Sequence, residues 1–528
     1  MKTWNWRRPF AVLMLALSPA LAAAEERPLL PSHEGRSAGY ATASNDRGAA
    51  VVTSHGHGRT GIAGAGHSGA AYLFDGGRSP FEEETPLAPL PDRPQPSPSD
   101  LPPTPRTTPE PRPLPIDEGT HPRGESAFTP HGMAAGSCGV CAVCRGHAGA
   151  APGGGGPRRL LENRFLNGRN IEVGGWIAQG ITGNSRNPAD RFNGPVTFND
   201  RAWEYQLNQL WLFAERKTDT RLGDFDVGGR IDVVYGTDHR FTTSHGLEND
   251  WNRSERFYGV ALPQLYMDVA YRDLKVRMGH YFTTIGYEAV PAPENFFYSH
   301  AYTHQYGEPF THTGILASYE LGDRLTFHAG ADRGWDSWES NNEDWAFLGG
   351  VDWTSRSRRT NVAFALHSGN FDDAGLFNRT IYSLVASQRL SGRMRYVIQH
   401  DWGLDNYGAG RADDRWYGIN QYLFYDLTET WTLGARIEWF RDRTGSRVAG
   451  LGADDGGRTG WGGRAGFAGD FQQLTLGANW KPSRNLILRP EIRYDWYHGS
   501  TNVDGLLPYV DGTRRDQLTG GFDLIVLF

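Results

Sequence analysis

Four residues in one short run carry the side chains of a metal site: Cys138, Cys141, Cys144 and His147, each three positions from the next. Three thiolates and an imidazole form a legitimate tetrahedral set for zinc. Closed zinc sites usually divide their ligands between two knuckles a dozen or more residues apart, whereas here a single stretch would supply all four. Haem attachment would place a histidine directly after the second cysteine of a pair, and Arg145 follows Cys144 instead. An odd number of cysteines in an oxidising compartment equally suits one disulfide with a free thiol, or a link to another chain. Metal ligation and disulfide chemistry therefore both stay open, and no cofactor is otherwise expected. Nucleophile and base types adjoin at His367-Ser368 and at Tyr298-Ser299-His300. Neither has a nucleophile-elbow context, so the chain is not expected to be an enzyme.

A second set of polar groups lies between Tyr287 and Thr311, where Glu288, Glu294, His300, His304 and Glu308 alternate with Phe296, Phe297, Tyr298, Tyr302 and Tyr306. In a linker of this composition the aromatics would pack on a wall while the acids and histidines face a passing solute. The alternatives are that the aromatics join an interfacial girdle or a cap of loops, and that His304 and His312 near Glu308 hold a metal. A third set alternates in sign along segments of period two. The acids are Asp224, Asp226, Asp232, Glu438, Glu491 and Asp495; the bases are Arg230, Lys275, Arg277, Arg393, Arg395, Arg436, Arg489 and Arg493. Facing ladders of opposite sign would create a transverse field across a pore, or would simply pair across strands.

Such side chains need strands to hold them. From Asn170 onward the chain alternates: Phe225, Val227, Gly229, Ile231, Val233 and Tyr235 share one face, and Asp226, Gly228, Arg230, Asp232 and Val234 the other. About sixteen strands are expected, from about 170–182 and 203–216 through 274–286 and 324–334 to 484–498 and 515–528. Short connections such as Gly322-Asp323 and Ser391-Gly392 alternate with long ones such as 183–202, 237–260 and 287–311. That asymmetry, with an even count, describes an all-β, closed antiparallel transmembrane barrel. At about sixteen strands it is too wide for side chains to fill, so a water-filled interior is expected. Mean hydropathy is negative and no run of about eighteen apolar residues occurs, which excludes a helical membrane protein. The net charge of −7 leaves no basic footprint for nucleic acid.

The last strand ends on Phe528, a closing residue that would serve as an insertion signal for barrel assembly machinery. Residues 1–24 read as a secretion signal: Lys2, Arg7 and Arg8 precede an apolar core, and Ala22-Ala23-Ala24 offers a cleavage site. Residues 25–157 read as a disordered Pro-, Gly- and His-rich arm, with prolines at Pro94, Pro96 and Pro98 favouring extended chain. The arm would lie in the periplasm, within reach of the cell wall or the inner membrane; the alternative is an unselected low-complexity tail. Residues 158–528 form the barrel domain, surrounded by outer-membrane lipid.

At Gly279-His-Tyr-Phe-Thr-Thr-Ile-Gly-Tyr-Glu288, Pro293-Glu-Asn-Phe-Phe-Tyr-Ser299, Pro309-Phe-Thr-His-Thr-Gly314 and Leu488-Arg-Pro-Glu-Ile-Arg-Tyr-Asp495, the chain resembles the outer-membrane β-barrel porins called porin-2 or OmpL-like. The resemblance covers about residues 160 to 528 and leaves the arm and its cysteines outside the family pattern. It implies a porin that passes small hydrophilic solutes and ions by diffusion, with a homotrimer as a common assembly. A second reading is a structural anchor that tethers the envelope through its arm.

Overall fold

The computed structural model describes residues 168–528, except 222, 252–256, 340–343, 371–376, 409–411 and 449–465. Cys138, Cys141, Cys144 and His147, the arm and the secretion segment lie outside the described residues.

Alternation in the sequence becomes alternation in space. Sixteen strands follow one another: β1 (Ile171–Asn184), β2 (Tyr205–Arg216), β3 (Phe225–Gly236), β4 (Gly259–Tyr271), β5 (Leu274–Phe282), β6 (Thr311–Leu321), β7 (Leu325–Asp332) and β8 (Ala346–Thr354). The second half comprises β9 (Thr360–Asn370), β10 (Asn378–Arg389), β11 (Met394–Asn406), β12 (Asp414–Asp426), β13 (Trp431–Asp442), β14 (Gly469–Ser483), β15 (Leu486–Gly499) and β16 (Asp516–Leu527). Each pairs antiparallel with its sequence neighbours, and β16 returns to β1 with Trp176 opposite Leu527 and Asn184 opposite Thr519. Closure leaves no edge strand, so every ladder group has a partner without help from solvent.

Seen from outside, the wall is apolar. In β3 the residues Phe225, Val227, Ile231, Val233 and Tyr235 are exposed while Arg230, Asp232 and Val234 are buried. Tyr271, Tyr319, Trp353 and Tyr425 ring the rim that carries the short turns, and Tyr205, Tyr235 and Trp345 the rim that carries the long loops. An exposed apolar band between two aromatic girdles is the surface a bilayer covers. Both ends of the barrel reach the short-turn rim, where Ile171 opposes Arg216 and Phe225 opposes Tyr271. At that rim Arg272, in the left-handed region with φ of 52°, turns β4 into β5.

β5 departs from expectation. It stops at Phe282 rather than continuing to 286, because the chain there leaves the ladder and turns into the barrel. β7 likewise ends at Asp332, where the loop carrying Trp335 and Asp336 begins.

The barrel is sealed at Phe528, whose backbone N–H donates to the Gly175 carbonyl while the Gly175 N–H donates to the Phe528 carbonyl, both at 2.9 Å. A side chain at 175 would strike the Trp211 carbonyl and lie 2.8 Å from the Phe528 ring. Gly175→Val is therefore expected to destabilise closure by about 1–3 kcal/mol through overpacking. Gel mobility of unheated against heated protein should show a reduced folded fraction; an unaltered fraction would mean that the seam does not depend on this contact.

Candidate functional site: the loop folded into the barrel

Between β5 and β6, residues 283–310 run through the interior of the barrel. Apart from a single 3-10 turn, Ala292–Glu294, and a π-type turn, Thr303–Gly307, the segment is irregular. Buried irregular backbone must find partners for its N–H and C=O groups one by one. The wall supplies them. The Glu491 carboxylate accepts from the Tyr298 and Ser299 N–H groups at 2.9 and 3.1 Å, and Glu438 accepts from Tyr302 and Thr303 at 2.9 and 2.7 Å. Asp336 captures Phe310 and Thr311 at 2.9 and 2.8 Å.

Arginines take the opposite role and donate to carbonyls. Arg489 reaches the Ala292 and Asn295 oxygens at 2.7 and 2.8 Å, Arg436 the Ser299 oxygen at 2.7 Å, and Arg493 the His300 oxygen at 2.5 Å. Each is steadied by an acid: Arg489 by Asp523, Arg493 by Asp495, and Arg436 by Glu288 of the loop itself. Charge-assisted bonds of this kind are about twice as strong as neutral ones, so the loop is fixed along its length.

Its side chains fit the wall by shape. Gly434 lies under Phe296, Gly418 under Thr303, and Gly180 and Gly477 under Tyr298 and Phe297; a methyl group at any of these wall positions would collide or crowd. Phe296 and Phe297 pack on Phe424 at 4.8 and 6.4 Å, and Tyr287 on Tyr422 at 4.6 Å. The Tyr302 hydroxyl lies 2.7 Å from Asp495 and 2.9 Å from the Tyr509 hydroxyl.

The expected division of the loop into wall-facing aromatics and solute-facing polar groups holds only in its first half. Phe297, Tyr298, Tyr302 and Tyr306 are buried, but so are His300, His304 and Glu308. Glu288 lies 2.7 Å from Arg436 and 3.1 Å from His300. His300 stacks on His304 at 4.7 Å, and Glu308 lies 3.5 Å from His304 and against Gln399 and Asp401. These residues hold the loop to itself and to the wall, Glu288 through Arg436 and Tyr422 and Glu308 through Gln399. Glu294 stays half-buried at the surface of the 3-10 turn.

The expected ladders also change role. Arg436, Glu438, Arg489, Glu491, Arg493 and Asp495 lie behind the loop as its docking groups rather than facing solute. Arg230 pairs with Asp232 and Glu215, and Arg277 with Asp268. Asp226 pairs with Arg216, Lys275 is half-buried on the same wall, and Arg395 covers the Phe424 ring at 4.6 Å. Asp224 and Arg393 are not in the interior; they sit exposed on the short-turn rim, Asp224 paired with Arg272. Paired in this way, these charges meet the second expectation, pairing along and across strands.

Two constellations resemble chemistry. His312, Asp332 and His367 bring ligand atoms within 4.8 Å of one another. The Trp335 Nε1–H donates to His367 Nδ1 at 3.1 Å, which fixes the proton on His367 Nε2, 3.0 Å from Asp332. His312 Nδ1 faces the Gly334 carbonyl at 3.3 Å and Asp332 at 3.4 Å, so it too carries its proton toward the carboxylate. Ser318, His328 and Asp352 form a row with contacts of 3.0 and 3.1 Å. The row lies across β6, β7 and β8, in regular ladder whose N–H groups are committed to neighbouring strands, leaving no oxyanion donors. His367 and Ser368 point to opposite faces of β9.

The sequence reading missed Asp336, Trp335, Trp416 and Arg447. Trp416 Nε1–H and Arg447 Nε–H donate to the Gly307 and Tyr306 carbonyls at 3.1 and 2.7 Å. A signal did exist: Gly418, Gly434 and Gly477 stand at inward positions of otherwise bulky strands.

Residues 170–528 match the beta-barrel porin-2, OmpL-like family. No curated protein matches the chain. Among solved structures it is similar to an anion-selective porin from Comamonas acidovorans, at 10% identity over 68% of this chain and 99% of that one, with a TM-score of 0.47. Pseudomonas putida OprB gives 12% identity over 69% and 96%, with a TM-score of 0.46. The outer membrane channel DcaP of Acinetobacter baumannii gives 13% over 68% and 97%, with a TM-score of 0.43.

Removing a docking carboxylate should loosen the loop while leaving the barrel closed. Glu491→Ala orphans the Tyr298 and Ser299 N–H groups, at about 1–3 kcal/mol for each. Hydrogen exchange across residues 296–306 should accelerate, whereas Asp224→Ala at the rim should leave it unchanged; equal protection in both would show that the carboxylate does not hold the loop.

Docking should also depend on pH. Burial pushes the Glu308 carboxyl up to about 7, so its contribution is full below the ordinary carboxylate range and is lost as pH rises through about 7. Burial outweighs the Glu288 contact and lowers the His300 imidazole to about 4, and burial lowers His304 to about 4. Their contribution is full above about 6.5 and is lost as pH falls through about 4. Protection of the loop should therefore peak near pH 6.5, with Glu308→Gln reducing the loss on the alkaline side. A flat alkaline limb in the parent protein would contradict the assignment to Glu308.

Proposed function

The chain belongs to the beta-barrel porin-2, OmpL-like family of outer-membrane barrels, and from that membership we propose that it is a narrow diffusion channel for small hydrophilic solutes and ions, its bore set by the loop of residues 283–310. One observation carries this reading: a wide barrel that an inserted loop crosses from β5 to the walls of β13 and β15. A barrel of about sixteen strands is open unless something enters it, so the inserted segment governs what passes. The loop's acids and histidines are turned inward on one another, so Glu294 and the wall beside the loop are the groups a solute meets.

The remaining assignments follow from this one. Both barrel ends lie at the short-turn rim, which faces the periplasm in barrels of this class, so the arm of residues 25–157 would extend there toward the cell wall. Phe528 would present the closing strand to the assembly machinery. A homotrimer is the assembly proposed for the membrane. The density of packing around the loop favours a second reading, a plugged barrel that anchors the envelope through its arm.

Single-channel recording in planar bilayers separates the two. The parent protein should show small unitary conductance, and both Glu491→Ala and a variant with residues 289–308 replaced by a short Gly-Ser link should show larger conductance. Silence from all three, in barrels whose gel mobility shows them closed, would overturn the pore and leave the anchor. Equal conductance from all three would remove the loop as the constriction.

A further inference from the structure

Beyond the docking groups, one guanidinium of the interior, that of Arg447, makes no ion pair within 4 Å among the described residues. Arg447 follows β13 on the long-loop side and is half-buried. Its Nε–H donates to the Tyr306 carbonyl at 2.7 Å, and no ion pair among the described residues includes it. The guanidinium lies over two indole rings, 4.8 Å from Trp416 and 5.2 Å from Trp335. On the same ring pair lies Arg379, 4.8 Å from Trp335 and 5.7 Å from Trp416.

The acids within electrostatic range are already engaged. Asp405 holds Arg379 through two bonds of 2.6 Å. Asp442 accepts from the backbone N–H groups of Gly445, Arg447 and Val448, and Asp336 from those of Phe310 and Thr311. The Nη groups of Arg447 therefore present paired donors, stiffened by the rings beneath them. A rigid, fork-shaped donor of this kind recognises planar or tetrahedral oxyanions. Both indoles are themselves fixed, Trp416 by the Gly307 carbonyl and Trp335 by His367, so the fork does not need to be ordered when an anion arrives.

We propose that Arg447, mounted on Trp335 and Trp416, is an anion-recognition subsite beside the inserted loop, and that it selects solutes bearing a carboxylate or phosphate group. This deepens the channel reading and rests on it. The subsite touches the loop at Tyr306, so an anion held there sits at the edge of the constriction, where a fixed charge acts on ions more strongly than at an open rim.

The test uses the full chain in planar bilayers under a potassium chloride gradient. Arg447→Gln should shift the reversal potential toward potassium, lowering the chloride-to-potassium permeability ratio by about twofold or more. Arg443→Gln, which removes an exposed charge from the same connection, should leave the ratio unchanged, because solvent and salt screen it. Inorganic phosphate and succinate, added separately, should each reduce chloride current in the parent protein. Arg447→Lys should keep the reversal potential while losing most of that block, since an ammonium retains charge without the fork. Block by phosphate alone or by succinate alone would identify which oxyanion the subsite takes. Conducting channels whose selectivity and block are the same in Arg447→Gln as in the parent would overturn the subsite while leaving the pore intact; absence of any conductance would instead remove the channel reading on which it rests.

Discussion

Irregular backbone inside a closed barrel has no ladder to join, and the N–H and C=O groups that its short turns leave open must be met by side chains. That requirement organises the interior. Glu491, Glu438 and Asp336 each take two successive N–H groups, while Arg489, Arg436 and Arg493 take the carbonyls between them. The charges of the wall are thus committed to a segment of the same chain, and their fixed positions follow from the backbone they hold. Arginine suits this work because one edge of the guanidinium can bind an acid while the other reaches a carbonyl, as Arg489 does between Asp523 and Ala292.

The barrel was legible in the sequence because its signal is local. Alternation in Phe225–Tyr235, the tight turns at Gly322-Asp323 and Ser391-Gly392, and the closing segment to Phe528 each depend on neighbours a few positions apart. The inserted loop was legible too, through five aromatics in a stretch where a solvent-facing loop would have few. What the polar groups do was not legible. Glu491 and Tyr298 are 193 positions apart, and nothing near either residue announces the other. Alternating charges along a strand look the same whether they face water or hold backbone, so Arg436, Glu438, Arg489, Glu491 and Arg493, read as pore lining, lie against the loop backbone instead. The inward glycines of β12, β13 and β14 were the available clue, since a wall that needs no accommodation has no reason to lack side chains there.

The same comparison separates chemistry from architecture at the two constellations in the wall. His312, Asp332 and His367 have the residue types of a metal site, while Trp335 turns the His367 proton toward Asp332 as in a hydrogen-bonded cluster. Ser318, His328 and Asp352 have the types of a triad, but flat sheet gives them no oxyanion partners. In each case the deciding group is a neighbour of the set rather than a member.

Tyr298 meets Gly180 of β1, Asn208 of β2 and Glu491 of β15, so the loop straddles the line where the first strand meets the last. A segment from the middle of the chain therefore cannot complete its contacts until both ends have arrived. In time, this makes its docking a late event, governed by the long sequence separations it must close. Until then its aromatics and its unmatched backbone remain exposed, and the half-built sheet carries them as a liability. Once seated, the loop reinforces from within the one seam that synthesis leaves for last.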